Sequence, residues 1–301
     1  MTGSAAATGR AEPIAGLAAL ASRYDGFVVD QWGVLHDGER AYPGAAEALT
    51  ALRRAGKRVV ILSNSGKRAA LNEARMAALD LGPEGYDAVI TSGEACWHDL
   101  AERDDPFYAG LGRRCLLFSR GGDTSVVDGL DLEVVTEAGR ADFLLLTGAD
   151  EAETTLDDFD PVLRAARAAD LPLVCANPDI VGIAGGRLIA SPGAIAARYE
   201  ALGGRVRYLG KPHPEIYGHC RRALGAIPDE RVIAIGDSLQ HDIAGGRAAG
   251  FATALVAGGI HRDALAEPLA AGDRAALDRA LAPLAERHGA VPDFVLPAFV
   301  W

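Results

Sequence analysis

Phe27-Val28-Val29-Asp30-Gln31-Trp32-Gly33-Val34 sets a carboxylate directly after a short apolar run, with a glycine three residues further on. The run is too short for a helix and mostly β-branched, so it reads as a strand buried on both faces. Outward from it the pattern repeats. A helix is expected over 44–55, a strand at Val59 to Leu62, a helix over 68–79 and a strand at Ala88 to Ile90. The same alternation returns later: Val206 to Leu209, a helix over 214–224, Val232 to Ile235, a helix over 242–249, and Thr253 to Val256. Strands alternating with helices indicate βαβ units, hence an α/β fold with a doubly wound parallel sheet that collects both ends of the chain.

Residues 95–205 carry an alternation of their own: Cys115 to Phe118, Glu133 to Val135, Phe143 to Leu146, a helix over 161–169, and Leu173 to Cys175. This predicts a second α/β domain inserted into the first, with 1–94 and 206–301 as the two parts of the outer domain. A length of 301 residues suits two domains at roughly 100 to 200 residues each. Gly121-Gly122-Asp123-Thr124-Ser125 within the insert reads as a turn, because no helical pattern follows it.

Apolar residues make up 49% of the chain, 58 of them Ala, and charged residues 24%. No apolar run approaches the roughly 20 residues that cross a bilayer, so neither a membrane-spanning nor a disordered chain is expected. The net charge of -11 opposes binding to polyanions such as nucleic acid, while leaving room for a small anion in a locally positive pocket. Cys96, Cys115, Cys175 and Cys220 are too dispersed for a zinc site or a disulfide framework, which suggests free thiols and a cytoplasmic location. Ile14 to Ala21 reads as an amphipathic lead-in helix. Of the 30 basic residues, 27 are Arg and only Lys57, Lys67 and Lys211 are Lys. Such rare lysines mark places where a flat guanidinium does not serve.

The chemistry lies at the ends of the outer apolar runs. Phe27 to Val29 ends in Asp30, Val59 to Leu62 in Ser63-Asn64-Ser65, Val206 to Leu209 in Gly210-Lys211-Pro212, and Val232 to Ile235 in Gly236-Asp237-Ser238. Ligands of open parallel sheets bind at the carboxyl ends of the strands, so these groups are expected to converge. Asp30 and Asp237 side by side repel each other unless a cation lies between them, and hard oxygen ligands suit Mg2+. Ser63 and the amides after it open a helix, where N–H groups hold an anion. Lys211 adds a fixed positive charge, and the set describes phosphoryl binding with a carboxylate nucleophile at hand. Each residue alone is an ordinary turn or cap residue; the four together, in this order, carry the reading.

These segments resemble, in order, the four motifs of the haloacid dehalogenase superfamily: Asp30-Gln31-Trp32-Gly33-Val34, the strand ending in Ser63, Lys211, and Gly236-Asp237 with Asp242 five residues on. The insert, after Thr91-Ser92-Gly93 and before Gly210-Lys211-Pro212, is similar to the α/β cap of class IIA, the NagD-like and pyridoxal-phosphatase-like branch. Asn177-Pro178-Asp179 and a helix over 193–201 resemble parts of that cap. The resemblance implies a Rossmann-like core and a nucleophilic Asp30 that becomes an aspartyl-phosphate. It implies Mg2+ held by Asp30, the Trp32 backbone carbonyl and Asp237. It also implies phosphoryl oxygens held by Ser63, Asn64 and Lys211, a supporting Asp242, and a cap substrate loop at Asn177 and Asp179.

One position departs from the pattern. Phosphatases of the superfamily usually read D-x-D, the second Asp protonating the leaving group and then activating water, and here that position is Trp32. An indole can neither give nor take that proton. A backbone carbonyl is indifferent to its side chain, so the metal site is retained while the acid/base step is put in question. His36 is the first substitute to test; Asp37 and His213 read as loop or cap contacts.

Three activities follow from the resemblance. The first is a Mg2+-dependent phosphatase of a small phosphorylated metabolite, slowed by Trp32, with the cap choosing the substrate. The second is a metal-independent carbon–halogen hydrolase, since haloacid dehalogenases also carry an aromatic residue two places after the nucleophile; they lack, however, the Gly-Asp of the fourth motif. The third is a non-catalytic sensor of a phosphorylated ligand. No nucleic-acid or membrane partner is expected. Trp97 and His98 read as packing and surface residues, Asp293 to Leu296 as a last strand, and Phe299-Val300-Trp301 either as core packing or as a contact within a homodimer.

Overall fold

Parallel neighbours in a sheet cannot be joined by a tight turn, so each connection must cross over and usually carries a helix. The computed structural model describes residues 10–149, 155–184 and 187–301. Its strands in chain order are β1 (Glu12–Pro13), β2 (Gly26–Asp30), β3 (Arg58–Ser63), β4 (Ala88–Thr91), β5 (Arg114–Phe118), β6 (Glu133–Val135), β7 (Phe143–Leu146), β8 (Leu173–Cys175), β9 (Val181–Ala184), β10 (Arg187–Ala190), β11 (Val206–Tyr208), β12 (Val232–Gly236), β13 (Ala252–Val256) and β14 (Phe294–Leu296). A seven-stranded sheet runs β1-β14-β13-β12-β2-β3-β4, and a five-stranded sheet runs β11-β8-β7-β5-β6. β9 and β10 form an antiparallel pair.

The chain divides into two compact units, one of Met1–Ser63, Glu73–Val89 and Tyr217–Trp301, the other of Asn64–Asn72 and Ile90–Ile216. In the first unit the strand order reverses between β2 and β12: the chain moves outward through β3 and β4, then later returns to the other side of β2 and moves outward through β13 and β14. Such a reversal opens a crevice at the carboxyl ends of the two central strands. Parallel register sets Val29 opposite Ile235 and Asp30 opposite Leu62. The central strands are apolar on both faces: Phe27, Val29, Ile61 and Ile235 on one side and Val28, Val60 and Ala234 on the other are all buried. The helix Ala45–Arg54 between β2 and β3 buries Ala45, Ala48, Leu49 and Leu52, a single stripe at helical spacing. Each of its two leucines contributes about 1.5–3 kcal/mol by leaving water.

The second unit has its own core, built from Leu144, Leu146, Leu173 and Cys175 on the strands and Leu163, Ala166 and Tyr199 on the helices. The Tyr199 hydroxyl donates to the Leu171 carbonyl at 2.6 Å, so its buried oxygen is satisfied.

One strand belongs elsewhere than its sequence suggests. Val206–Tyr208 pairs in parallel with Leu173–Cys175, and so completes the five-stranded sheet rather than joining the outer strands. The physical reason is a βαβ crossover: β8 is followed, after the β9–β10 pair, by the helix Pro192–Ala201 and then by β11 as its parallel neighbour. The lead-in segment contributes the short helix Ala18–Ala21, with Leu17 and Leu20 buried, and β1 pairs with β14 at the sheet edge.

Candidate active site

Three acids converge in the first unit. Asp30 closes β2, Asp237 follows β12 and Asp242 lies in the turn after it; one carboxylate oxygen from each lies within 4.8 Å of the other two. Asp237 and Asp242 are almost fully buried. Buried carboxylates this close repel strongly unless a cation neutralises them, and three oxygen donors form a set suited to a hard divalent ion. Asp242, expected only to support the site, thus stands within the acidic set itself. Ser63, also buried, ends β3 one residue beyond the partner of Asp30.

The local backbone explains why the acids stay together. Ser238 caps the turn, its hydroxyl accepting the His241 N–H at 3.1 Å. The carbonyl of Ser238 accepts N–H bonds from Asp242 at 2.9 Å and from Ile243 at 3.1 Å, giving one wide helical turn over Leu239–Ile243. Wide turns of this kind recur at functional sites. The Asp242 carboxylate accepts the Ser238 N–H at 3.1 Å, and the Asp237 carboxylate accepts the Ile260 N–H at 3.0 Å. Gly33, at φ +78°, and Gly259 both approach Asp237 so closely that a Cβ at either would collide with its carboxylate. In the sequence, the pair Gly258-Gly259 after β13 is the mark of this close approach.

The loop after Asp30 folds back on itself. Asp30 accepts the Gln31 N–H at 2.7 Å, the Gln31 carbonyl accepts the Leu35 N–H at 3.0 Å, and the His36 carbonyl accepts the Gly33 N–H at 3.1 Å. Trp32 stands out of this loop, 42% exposed. Its indole meets the His36 ring edge to face at 4.9 Å, Gly38 lies against its rim, and the Arg75 guanidinium lies 5.4 Å from its centroid. His36 is fully buried, and its Nδ1 accepts the Gly38 N–H at 3.0 Å. Burial first, and the Arg75 charge second, push its pKa down to about 4 against the opposing effect of Asp37. A neutral imidazole with Nδ1 engaged and the proton on Nε2 pins the loop; it is poorly suited to exchange a proton near neutral pH. Asp37 accepts N–H bonds from Glu39 and Arg40, which hold its carboxyl below the usual range.

The second unit holds Lys211 by its backbone. The Asn64 Oδ1 accepts the Lys211 N–H at 2.6 Å, and the Asn64 Nδ2 donates to the Lys211 carbonyl at 3.0 Å and to the Asp179 carboxylate at 2.7 Å. Asp179 is fixed in turn: its N–H donates to the Asn177 Oδ1 at 3.1 Å, and its carbonyl accepts from the Gly193 N–H at 3.1 Å and from the Ser191 hydroxyl. Gly210, at φ +132°, leaves no room for a side chain beside Ser92, Pro178 and Asn64. Asn177 and Asp179, expected in a substrate loop, are therefore joined to Asn64 and Lys211. The Asn64 side chain is occupied by these bonds.

The remaining marked residues are structural. The Trp97 indole donates to the Asp128 carbonyl at 3.0 Å and lies under Arg68, which forms a two-pronged pair with Glu94. In the glycine-rich segment Gly121 and Gly122 take positive φ, and the Ser125 N–H donates to Asp123, as in a turn. All four cysteines are buried. Phe299 is buried and Trp301 is half-exposed. No described helix is long and apolar enough to cross a membrane.

With this geometry in place, comparison with known proteins is informative. The family described as haloacid dehalogenase-like hydrolase matches residues 27–133, and a second, HAD-hydrolase-like, matches 208–281. Human chronophin is 32% identical over 264 residues, covering 82% of this chain and 86% of that protein. Glycerol-3-phosphate phosphatase of Rattus norvegicus is 30% identical over 263 residues, covering 80% and 81%. A crystal structure of a haloacid dehalogenase-like hydrolase from Brucella suis superposes with a TM-score of 0.78 at 31% identity, covering 95% of this chain and all of that one.

Proposed function

Because this chain belongs to the haloacid dehalogenase-like hydrolases, with the class IIA arrangement, we propose that it is a Mg2+-dependent phosphatase of a small phosphorylated metabolite, with Asp30 as nucleophile. The observation that carries this reading is the meeting of Asp30, Asp237 and Asp242 at the strand-order reversal. A site for carbon–halogen hydrolysis has no use for three converging carboxylates, so the phosphatase reading is preferred over the dehalogenase. The name of the glycerol-3-phosphate phosphatase relative supports the same class of chemistry.

In this reading Asp30, the Trp32 carbonyl and Asp237 hold Mg2+, with Asp242 completing the acidic set. When bound, the ion neutralises these carboxylates and the charge on the transferring phosphoryl group. Asp30 offers its second carboxylate oxygen to phosphorus, held in line by the bond its first oxygen accepts from Gln31. Ser63 and the Asn64 backbone N–H donate to phosphoryl oxygens, and Lys211 supplies a fixed positive charge, its backbone held by the Asn64 side chain. The inserted unit chooses the substrate.

The test is a screen of phosphorylated metabolites with and without Mg2+, with a haloacid included. Phosphate release that requires Mg2+ supports the proposal. Halide release that persists in a chelator would favour the dehalogenase instead, and ligand binding without turnover of any compound would favour a sensor.

A further inference from the structure

The structure assigns a leaving-group preference to this site: we infer that the substrate is an aryl or acyl phosphate, whose planar leaving group departs as a weakly basic oxyanion and sits against the indole of Trp32. This deepens the phosphatase reading and rests on it.

The argument starts from what surrounds Trp32. The resemblance of the motif puts position 32 where a carboxylic acid would otherwise protonate the departing oxygen, and an indole N–H does not do so. In the segment that follows, His36, Asp37 and Tyr42 do not make good the loss. His36 is fully buried, with Nδ1 accepting the Gly38 N–H. Asp37 has one carboxylate oxygen accepting two backbone N–H bonds, from Glu39 at 2.9 Å and Arg40 at 2.8 Å, as befits an ionised turn residue. Tyr42, further along the segment, is a phenol, weaker as an acid than a carboxyl group by about six pKa units.

What the loop offers instead is a surface. The indole is fixed edge-on by His36 and bounded by Gly38, yet 42% exposed, so its flat apolar area stands ready for a planar group. The Arg75 guanidinium lies over the ring, 5.4 Å from its centroid, so a planar group uses the ring area that Arg75 leaves open, next to a positive charge that favours a group leaving as an anion. Phenolates and carboxylates are both planar, conjugated and weakly basic at oxygen. An alkoxide is none of these.

The chemistry balances without a protein acid. An Asp30 carboxylate oxygen forms a bond to phosphorus as the bond from phosphorus to the leaving oxygen breaks, and the leaving group departs with that electron pair. Water then forms a bond to phosphorus as the acyl oxygen–phosphorus bond breaks, regenerating the Asp30 carboxylate and releasing dihydrogen phosphate. The dihydrogen phosphate gives one of its protons to the solvent, which balances the charge of the departed anion.

The experiment measures kcat/KM, which reports the first step, with Mg2+ for 4-nitrophenyl phosphate, phenyl phosphate, acetyl phosphate and an alkyl phosphate such as glycerol 3-phosphate. Proton donation is worth about 10²- to 10⁴-fold. The aryl and acyl compounds are therefore expected to exceed the alkyl ester by at least about 10²-fold, with 4-nitrophenyl above phenyl. In Trp32→Asp, the gap between alkyl and aryl should narrow by a similar factor, whereas Trp32→Phe should keep the gap. A flat dependence on leaving group in the unaltered protein would overturn the inference while leaving the phosphatase reading intact. Failure to release phosphate from any of the four compounds would overturn both. The leaving-group series on the unaltered protein decides the matter even where a variant does not fold.

Discussion

At the scale of single residues, Asn64 shows how one side chain can fix another residue's backbone. Its amide takes both the N–H and the carbonyl of Lys211 and adds Asp179 as a third partner. Asn64→Ala would leave the buried Lys211 N–H without its acceptor, a loss of about 1–3 kcal/mol. A fall of several degrees in thermal midpoint is expected, together with a raised KM and a smaller change in kcat if Lys211 holds the phosphoryl group. Asp179→Asn keeps an oxygen that can accept from Asn64, so it should be milder than Asp179→Ala; equal effects of the two in a melt and in KM would argue against this arrangement. The sequence marked Asn64, Asn177, Asp179 and Lys211 separately, but nothing in it says that an amide at 64 meets a backbone at 211. Side chains of one polarity and size can make either contact, and the choice is settled by how the chain closes over 147 residues.

At the scale of elements, Asp25 gathers the entry ends of three adjacent strands. It precedes β2, and its carboxylate accepts from Lys57 at 2.9 Å, just before β3, and from Arg231 at 2.8 Å, just before β12. These partners hold its pKa down to about 2 from an ordinary 3.8. A depressed carboxyl pKa stabilises the fold above the unfolded value and ceases to do so as pH falls through the folded one, so this contribution disappears between about pH 4 and pH 2. The pairs are partly exposed and screened, so Asp25→Asn should cost no more than about 1 kcal/mol at pH 7 and nothing near pH 2. Urea melts at the two pH values measure this; an equal loss at both would contradict it. The strands themselves were legible because burial on both faces leaves continuous β-branched runs such as Val59 to Leu62. The sheet to which Val206–Tyr208 belongs was not, because an apolar run carries no mark of its partner, and pairing is decided by the crossover before it. The pair β9 and β10 is hard to read for a related reason, since Val181 to Ala190 is interrupted by three glycines and carries no partner's mark.

At the scale of the whole molecule, the acidic set ties the proposed function to stability. Three carboxylates lie within 4.8 Å of one another, two of them buried, so on the proposed function a bound cation should raise stability by relieving their repulsion. Mg2+ at about 100 times its dissociation constant should add about 2.7 kcal/mol, seen as a rise in thermal midpoint that a chelator reverses. Asp237→Asn retains an oxygen for the Ile260 N–H, so it should fold, lose that rise, and melt no lower than the unaltered protein in chelator. The central claim, that Asp30 carries the phosphoryl group, is tested most directly by trapping. The protein is mixed with acetyl phosphate and Mg2+, quenched in acid, digested and analysed by mass spectrometry, alongside Asp30→Asn. The predicted result is one phosphoryl group on the peptide containing Asp30, none on the variant, and loss of phosphate release in the variant. Phosphate release at an undiminished rate from Asp30→Asn would contradict the account.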